Sequence, residues 1–463
     1  MNKKLILADE VKNNIINDER LRIRLSKTLD IFAHYPNHSI PQSCDSKAEI
    51  KGIYRLLDNR KVTPEGILSG HKEATRKRMT EHEIVLLVQD TTDFNYSRSS
   101  AIKGMGDHSP YPNSKGLLLH STLAVTPEGV PLGLLTQKYW TRPPAERGKK
   151  NKRNELPIEE KESYRWIAAL EESTADIPDN ITTVTVADRE ADIFDLFKRS
   201  KELKQNILIR AIGNRKVNGE ENSLIKTVEA SSSAGKIRVL IPRDANSKTP
   251  EREAELEIKY CTLQLKPPSY LKNSNKLEPV ELDALYAKEI NSPPGEKSIE
   301  WLLLSTLPIS TIEDAAERIG WYRQRWKIER FHFTLKSGCK VEELQLETIG
   351  RLENALSLYS IVSWKLLWLV YESRIKPDIS CEIVLEKYEW HTLYCMVKKK
   401  KDFPDNPPTL KEATMMIARL GGFMCRKGDG DPGVKVMWRG LQRLNDVSSV
   451  WFFINHTEDV GND

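Results

Sequence analysis

The chain has 463 residues, of which 39% are hydrophobic and 30% charged, with a formal net charge of +5. That length exceeds one ordinary domain and buries a core easily, so about two to four domains are expected and disulfides are not needed to hold them. The modest positive charge permits a nucleic-acid partner without demanding one. The six cysteines (Cys44, Cys261, Cys339, Cys381, Cys395, Cys425) are scattered, with no CxxC pair and no Cys/His cluster at zinc spacing. They read as reduced thiols of a cytoplasmic protein. The opening MNKKLILADEVKN lacks the apolar run of a signal peptide.

The first seventy or so residues read as helices. DERLRIRLSKTLDIFA (18–33) has apolar residues at helical spacing, and SKAEIKGIYRLLDN (46–59) follows a Pro-rich break. TPEGILSGHKEATRKRM (63–79) opens with Thr63 as N-cap and Pro64 at the first helical position. Small helical units rich in Lys and Arg suit DNA binding, and they suit a plain helical bundle, the reading that sequence alone favours.

The texture changes at residue 84. IVLLVQ (84–89) reads as a buried strand, and GLLLHSTLAV (116–125) with VPLGLLTQKYW (130–140) as a hairpin turning at TPEG. ELPIEEKESYRWIAALEES (155–173) reads as a helix and NITTVTVAD (180–188) as a β-branched strand. READIFDLFKRSKEL reads as a second helix and NILIRAI (206–212) as another strand. This is a mixed α/β layer fold. Residues 213–300 read as a β-rich insertion carrying IRVLIPR, AELEIKYCTLQL and LDALYAKEI. IEWLLLSTL (299–307) and one long helix from about Thr311 follow, and the tail returns to helices. LSLYSIVSWKLLWLVY (356–371) is broken by Ser363 and Lys365 and reads as a buried helix, too short to span a bilayer. The basic runs ERGKKNKR (146–153) and KKKK (398–401) read first as solvated loops.

Two carboxylates stand where strands are expected to end, Asp90 after IVLLVQ and Asp188 after VTVA. Ligand sites of open α/β sheets form at such ends. The structural alternatives are a turn in DTTD for Asp90 and a helix N-cap for Asp188. Asp93, Glu190 and Asp192 lie close by in the chain, and spacing alone does not exclude them.

A third carboxylate lies in WYRQRWKIERFHFTLKSG (321–338). On one continuous helix, Tyr322, Arg325, Glu329 and Lys336 fall within an arc of about 60°. Ile328, Phe331 and Leu335 share a neighbouring arc suited to packing. A surface Arg325–Glu329 pair would explain two of the four polar residues and leave the other two as coincidence. Three converging carboxylates repel unless their pKa values rise or cations neutralise them. Oxygen ligands without His or Cys point to Mg²⁺ or Mn²⁺, and two such ions activate a nucleophile at a phosphodiester. The adjacent Arg and Lys favour a phosphate substrate over a glycoside.

The spacing of Tyr322, Arg325, Glu329 and Lys336 resembles the Y-R-E-K signature of DDE transposases of the IS-four type, bacterial cut-and-paste enzymes. LVQDTTDFNYS resembles the family's first Asp motif and VADREADI its second. SCDSKAEIKGIYRLLDN resembles the N-terminal DNA-binding region, and MMIARLGGFM with VMWRGLQRL the C-terminal region. The resemblance implies an α/β RNase H-like catalytic core at 76–372 with a β-strand insertion at about 213–300. An N-terminal helical DNA-binding domain (1–75) and a C-terminal helical dimerisation domain (373–463) would flank it.

The resemblance further implies Asp90, Asp188 and Glu329 as the metal-binding triad for two Mg²⁺ or Mn²⁺ ions. It implies Tyr322, Arg325, Lys336 and Arg210 as contacts to the DNA end, and Trp301 as the stacking partner of a flipped base on a hairpin route. The alternative for Trp301 is a buried residue at a strand start. His120 and His332 are expected to pack. The loop RSSAIKGMGDHSPYPNS is expected to lie over the DNA or the active site. The expected partners are double-stranded DNA, both transposon ends and target, and a second copy of the chain. No membrane partner is expected. Rival readings are a nuclease of the same fold that does not join strands, and a DNA-binding protein that has lost the chemistry.

Overall fold

In the computed structural model, residues 5–97, 102–109, 114–142, 156–241, 251–269, 271, 276–296, 298–426 and 428–456 are described. The basic run at 146–153 and parts of the loop at 98–114 lie outside them.

Three helices lead the chain: α1 (Glu19–His34), α2 (Lys47–Leu57) and α3 (Pro64–Met79). Thr63 caps α3 by accepting from the Gly66 N–H (3.1 Å), with Pro64 in the first turn. A continuous nine-stranded sheet follows. Its strands are β1 (Ile84–Asn95), β2 (Gly116–Val125), β3 (Pro131–Trp140), β4 (Thr182–Ala187), β5 (Asn206–Arg210), β6 (Gly235–Ile241), β7 (Arg252–Leu265), β8 (Val280–Ile290) and β9 (Glu300–Ser305). The strand order is β3-β2-β1-β4-β5-β9-β8-β7-β6. β1 pairs in parallel with β4 and β4 with β5, while β2 and β3 are antiparallel. That half is the RNase H-like arrangement. The insertion strands do not form a separate lobe. β9 pairs antiparallel with both β5 and β8, so β6–β8 prolong the core sheet.

Period-two alternation sorts the strands between two apolar layers. Leu86, Val88, Val184, Val186, Leu208 and Leu303 join one core, which also holds Ile328, Phe331 and most of a long apolar helix, α9 (Ile349–Ile375). Ile207, Ile209, Leu302 and Leu304 join the other, under α4 (Tyr164–Thr174), α5 (Phe194–Glu202) and α6 (Leu224–Ala230). α9 is buried on nearly every side, as its apolar sequence leads one to expect. Among the described residues no helix is long and apolar enough to cross a bilayer. α10 (Lys387–Lys398), α11 (Leu410–Leu420) and α12 (Val434–His456) close the chain, and α11 and α12 pack on α9. α3 runs across residue 75 and α9 across residue 372, so both expected boundaries fall inside helices. All six cysteines are free.

Several expectations are corrected. β1 runs on through Asp90 to Asn95, held by antiparallel pairing with β2, so DTTD is strand and not turn. The expected helix at 155–173 is a 3-10 turn (Ile158–Glu160) and then α4. READIFDLFKRSKEL is split likewise, into a 3-10 turn (Arg189–Ala191) and α5. The insertion contains α6, where only strands were expected. The single long helix from Thr311 is two, α7 (Ile312–Arg323) and α8 (Trp326–Phe333), followed by a π-helical turn (Thr334–Gly338).

Candidate active site

Asp90 and Asp188 reach one place through register. The last parallel pair of β1 and β4 is Val88 with Val186, and two residues further on each strand stand Asp90 and Asp188. Alternation puts both on the face shared with Val88 and Val186, beneath α8. Arg210 follows Leu208 by two residues and Trp301 precedes Leu303 by two, which sends them to the same face.

The joint between α7 and α8 aims the third acid. Gln324 and Arg325 donate their N–H groups to the carbonyls of Trp321 (3.0 Å) and Tyr322 (3.0 Å), a tighter i,i−3 pattern than an α-helix has. The π-helical turn after Phe333 then widens the spiral. The ideal arc of Tyr322, Arg325, Glu329 and Lys336 is therefore not one stripe. Tyr322 is buried, edge-on to Trp301 with ring centroids 5.8 Å apart. Trp301 itself is half-buried at the start of β9. Arg325 pairs with Glu329 (2.6 Å) and lies over the Trp326 ring (4.9 Å), but it is buried, so this is not the surface pair that spacing alone allows. Lys336 reaches Asp93 (3.3 Å). Arg210 donates to the Glu300 carbonyl (2.9 Å). Ile328, Phe331 and Leu335 are fully buried, as their arc requires.

The carboxylates divide by their partners. Asp93 is claimed by Lys336 and by His108 (2.8 Å). Glu190 is bound by Arg165 (2.8 Å), and Asp192 by Arg215 and the Ile212 N–H (2.8 Å). By contrast, Asp188 accepts from the Glu190 N–H (2.8 Å), as a cap, and pairs with no cationic side chain among the described residues. Asp90 accepts from the Thr91 N–H (2.8 Å). Burial, then the charges of Asp188 and Glu329, push the Asp90 carboxyl up to about 7, against the opposing effects of the Thr91 amide and Arg325. His332 stands 3.9 Å from Asp90, but burial and the Lys336 charge hold its imidazole down to about 3, so it is neutral and brings no cation. His120 is buried edge-on to Trp166 (4.6 Å) and is likewise held neutral by burial.

Three carboxylates thus feel one another in a partly dry place. This donor set is all oxygen, which suits a hard divalent cation. Among the described residues no three acidic, His or Cys side chains stand close enough to grip one ion as placed, and Glu329 is paired with Arg325.

The chain matches three family models in order: transposase DNA-binding at residues 4–62, transposase DDE domain at 167–364, and transposase Tn5 dimerisation domain at 361–452. This chain belongs to the DDE transposases. Such an enzyme binds DNA, cleaves it and transfers the cut strand, and it depends on divalent metal. The DDE match takes in Asp188 and Glu329; Asp90 lies before it and owes its place to the β1–β4 register. One solved structure it resembles is a piggyBac transposase synaptic complex with hairpin DNA, 8% identical over 96% of this chain and 74% of that one, with a TM-score of 0.37.

Sequence reasoning missed Arg165, a charged residue between Tyr164 and Trp166 at the start of an apolar helix. It also missed the packing of Tyr322 on Trp301. The described part of the loop at 98–114 is pinned at Lys103 to Glu347 and Ile349. There it lines a cleft of about 1400 Å³ with Asn37 and His38 of the N-terminal unit and Lys340.

Proposed function

We propose that the chain is a transposase of the IS-four type whose triad is Asp90, Asp188 and Glu329, acting on the terminal inverted repeats of its own element. The observation that carries the reading is the partnering pattern. Of five carboxylates around the ends of β1 and β4, the register-matched pair Asp90 and Asp188 has no bound cation, and Glu329 descends on the same face.

The triad would hold two Mg²⁺ or Mn²⁺ ions. Bound there, the cations would supply charge to offset the phosphate and would lower the pKa of an attacking water or 3′-hydroxyl. Arg325, released from Glu329, and Lys336 then bind the non-bridging phosphate oxygens, and Arg210 binds the same strand from β5. Water attack frees a 3′-hydroxyl; that hydroxyl attacks the opposite strand, expels the 3′-hydroxyl of the flanking DNA and leaves a hairpin end. A second water opens the hairpin and restores the 3′-hydroxyl, which attacks a target phosphodiester and expels a 3′-hydroxyl of the target strand. Trp301, braced by Tyr322, stacks on the base turned out at the hairpin. The helical unit at 1–75 grips the end in the cytoplasm, where the DNA is.

A homodimer fits the C-terminal unit. Val447, Val450, Phe452, Phe453 and Ile454 are exposed on the last turns of α12, an apolar surface that a second copy would cover.

The test is a labelled duplex carrying the element's end, incubated with protein and Mg²⁺. Nicking, then hairpin, then joined product is expected. Glu329→Ala cutting at the wild-type rate would sink the triad. Cutting without joined product would favour the nuclease, and tight binding without nicking the DNA-binding protein.

A further inference from the structure

On the far side of the sheet from the acids, one arginine reaches both segments that carry them. Arg165 lies in α4, and its side chain keeps only 11% of its exposure. Its Nε donates to Thr91 Oγ1 (2.9 Å) and its Nη2 to Glu190 Oε2 (2.8 Å). Nη1 donates to the Glu162 carbonyl (3.0 Å), which ties the guanidinium to the turn that leads into its own helix. The Trp166 and Trp140 rings lie beneath it at 5.3 and 5.8 Å. Thr91 and Glu190 are the residues whose main-chain amides bind the two aspartates, Thr91 N–H to Asp90 Oδ1 and Glu190 N–H to Asp188 Oδ1. The bridge therefore runs from one carboxylate, through a planar fork of fixed geometry, to the other. Alternation explains how: Asp90 points to the α8 face and Thr91 to the α4 face.

The hydroxyl of Thr91 is doubly fixed. It accepts from Arg165 and shares a hydrogen bond of 2.9 Å with His120 Nδ1. The α4 end is fixed in turn, because Arg142 grips Glu162 through Nε (2.8 Å) and Nη2 (2.6 Å).

We infer that Arg165 is a positioning residue that sets the separation and orientation of the Asp90 and Asp188 carboxylates, and so the affinity of the site for its divalent cations. This rests on the assignment of those aspartates as metal ligands. Side chains that orient metal ligands from behind typically carry 10–100-fold in metal affinity or activity. Arg165 differs from the DNA-contacting arginines because its donors are turned into the protein and spent on it.

The test is Mn²⁺ binding to the full-length metal-free protein by calorimetry, with no DNA present, beside cleavage as a function of Mn²⁺ concentration. Arg165→Ala is expected to weaken Mn²⁺ binding by about 10-fold or more. Cleavage should return at high Mn²⁺, and end binding without metal should match wild type. Arg165→Lys, which keeps the charge and loses the fork, should recover only part. Wild-type Mn²⁺ affinity in Arg165→Ala would overturn the inference, as would a defect confined to end binding. Should Arg165→Ala fail to fold, Thr91→Val and Glu190→Ala each remove one arm and are read in the same way. Asp90→Asn in the same calorimeter separates the two levels. If it leaves Mn²⁺ binding intact, the ligand assignment fails; if it abolishes binding while Arg165→Ala does not, only the role of Arg165 fails.

Discussion

Glu10 is a fully buried carboxylate and Asp90 a partly buried one, and their acidities are driven in opposite directions. Burial pushes the Glu10 carboxyl up, but His71 and Arg78 outweigh it and bring it to about 2. His71 Nδ1 lies 2.5 Å from Glu10 Oε2, and Arg78 donates through Nη1 (2.7 Å) and Nη2 (3.1 Å). The Leu134 N–H donates to His71 Nε2 (3.0 Å), which leaves the ring proton on Nδ1, facing the glutamate. Asp90 is less completely buried, and its charged neighbours are two more carboxylates and an arginine already paired with one of them. It rests near 7. Burial alone would raise Glu10, the more deeply buried of the two; the partner set separates them. The first cluster is complete and fastens the N-terminal segment to α3 and β3. The second has no positive charge to spare beyond Arg325, which is what the proposed metal site requires.

The comparison can be broken at several points. The largest effect belongs to Asp188→Asn, which removes a triad oxygen donor and should reduce strand cleavage to background in an end-labelled assay; retained cleavage would return Asp188 to a plain N-cap. Next is Glu10→Ala, which strips the counter-charge from Arg78 and the acceptor from His71. Breaking a buried pair this way typically costs about 3–5 kcal/mol, read from urea unfolding. The pH dependence has a definite sign. The folded pKa of Glu10 lies below 4.5, so its contribution is present above pH 4.5 and is lost as pH falls towards 2.

Asp90 runs the other way. Its folded pKa is raised from 3.8 to about 7, so its contribution is present below pH 3.8 and is lost as pH rises through 7. Asp90→Asn should therefore stabilise the metal-free protein at pH 8, by up to about 4 kcal/mol at 1.36 kcal/mol per unit. The gain should shrink towards pH 4, and a thermal melt at the two pH values measures it. The smallest stability effect is expected for Lys336→Ala. Its pair with Asp93 is half-exposed, and such pairs contribute about 0–1 kcal/mol. Cleavage should fall in that variant while the melting temperature barely moves.

Much of the fold was legible from one sequence. Thr63–Pro64 marked the start of α3, and TPEG marked the β2–β3 turn, because caps and turns are local chemistry. A continuous apolar run marked β1 and a β-branched run marked β4. The long helix was misread because a helical wheel assumes a constant pitch, and the 3-10 joint at Gln324 and Arg325 changes it. The surroundings decide that joint: the Gln324 side chain donates to the Pro127 carbonyl of the β2–β3 turn (3.0 Å). Phe333, on the far side of the expected stripe, meets Trp438 of α12 (6.0 Å), a partner about a hundred residues away that no local pattern could name.

By itself the sequence determined the acids, their order, the Y-R-E-K spacing and the alternation that gives each strand two faces. These follow from residue identity and from periods of two and 3.6. Only the tertiary structure decided which carboxylates remain without a cation. Asp93, Glu190 and Asp192 sit as close to the motifs in the chain as Asp90 and Asp188 do, and each is claimed by a base brought from elsewhere. The pairing of β1 with β4 set Asp90 beside Asp188, and Arg165 crosses to both from behind the sheet. Charge compensation acts through space over a few ångströms, and that distance is fixed by packing, not by position along the chain.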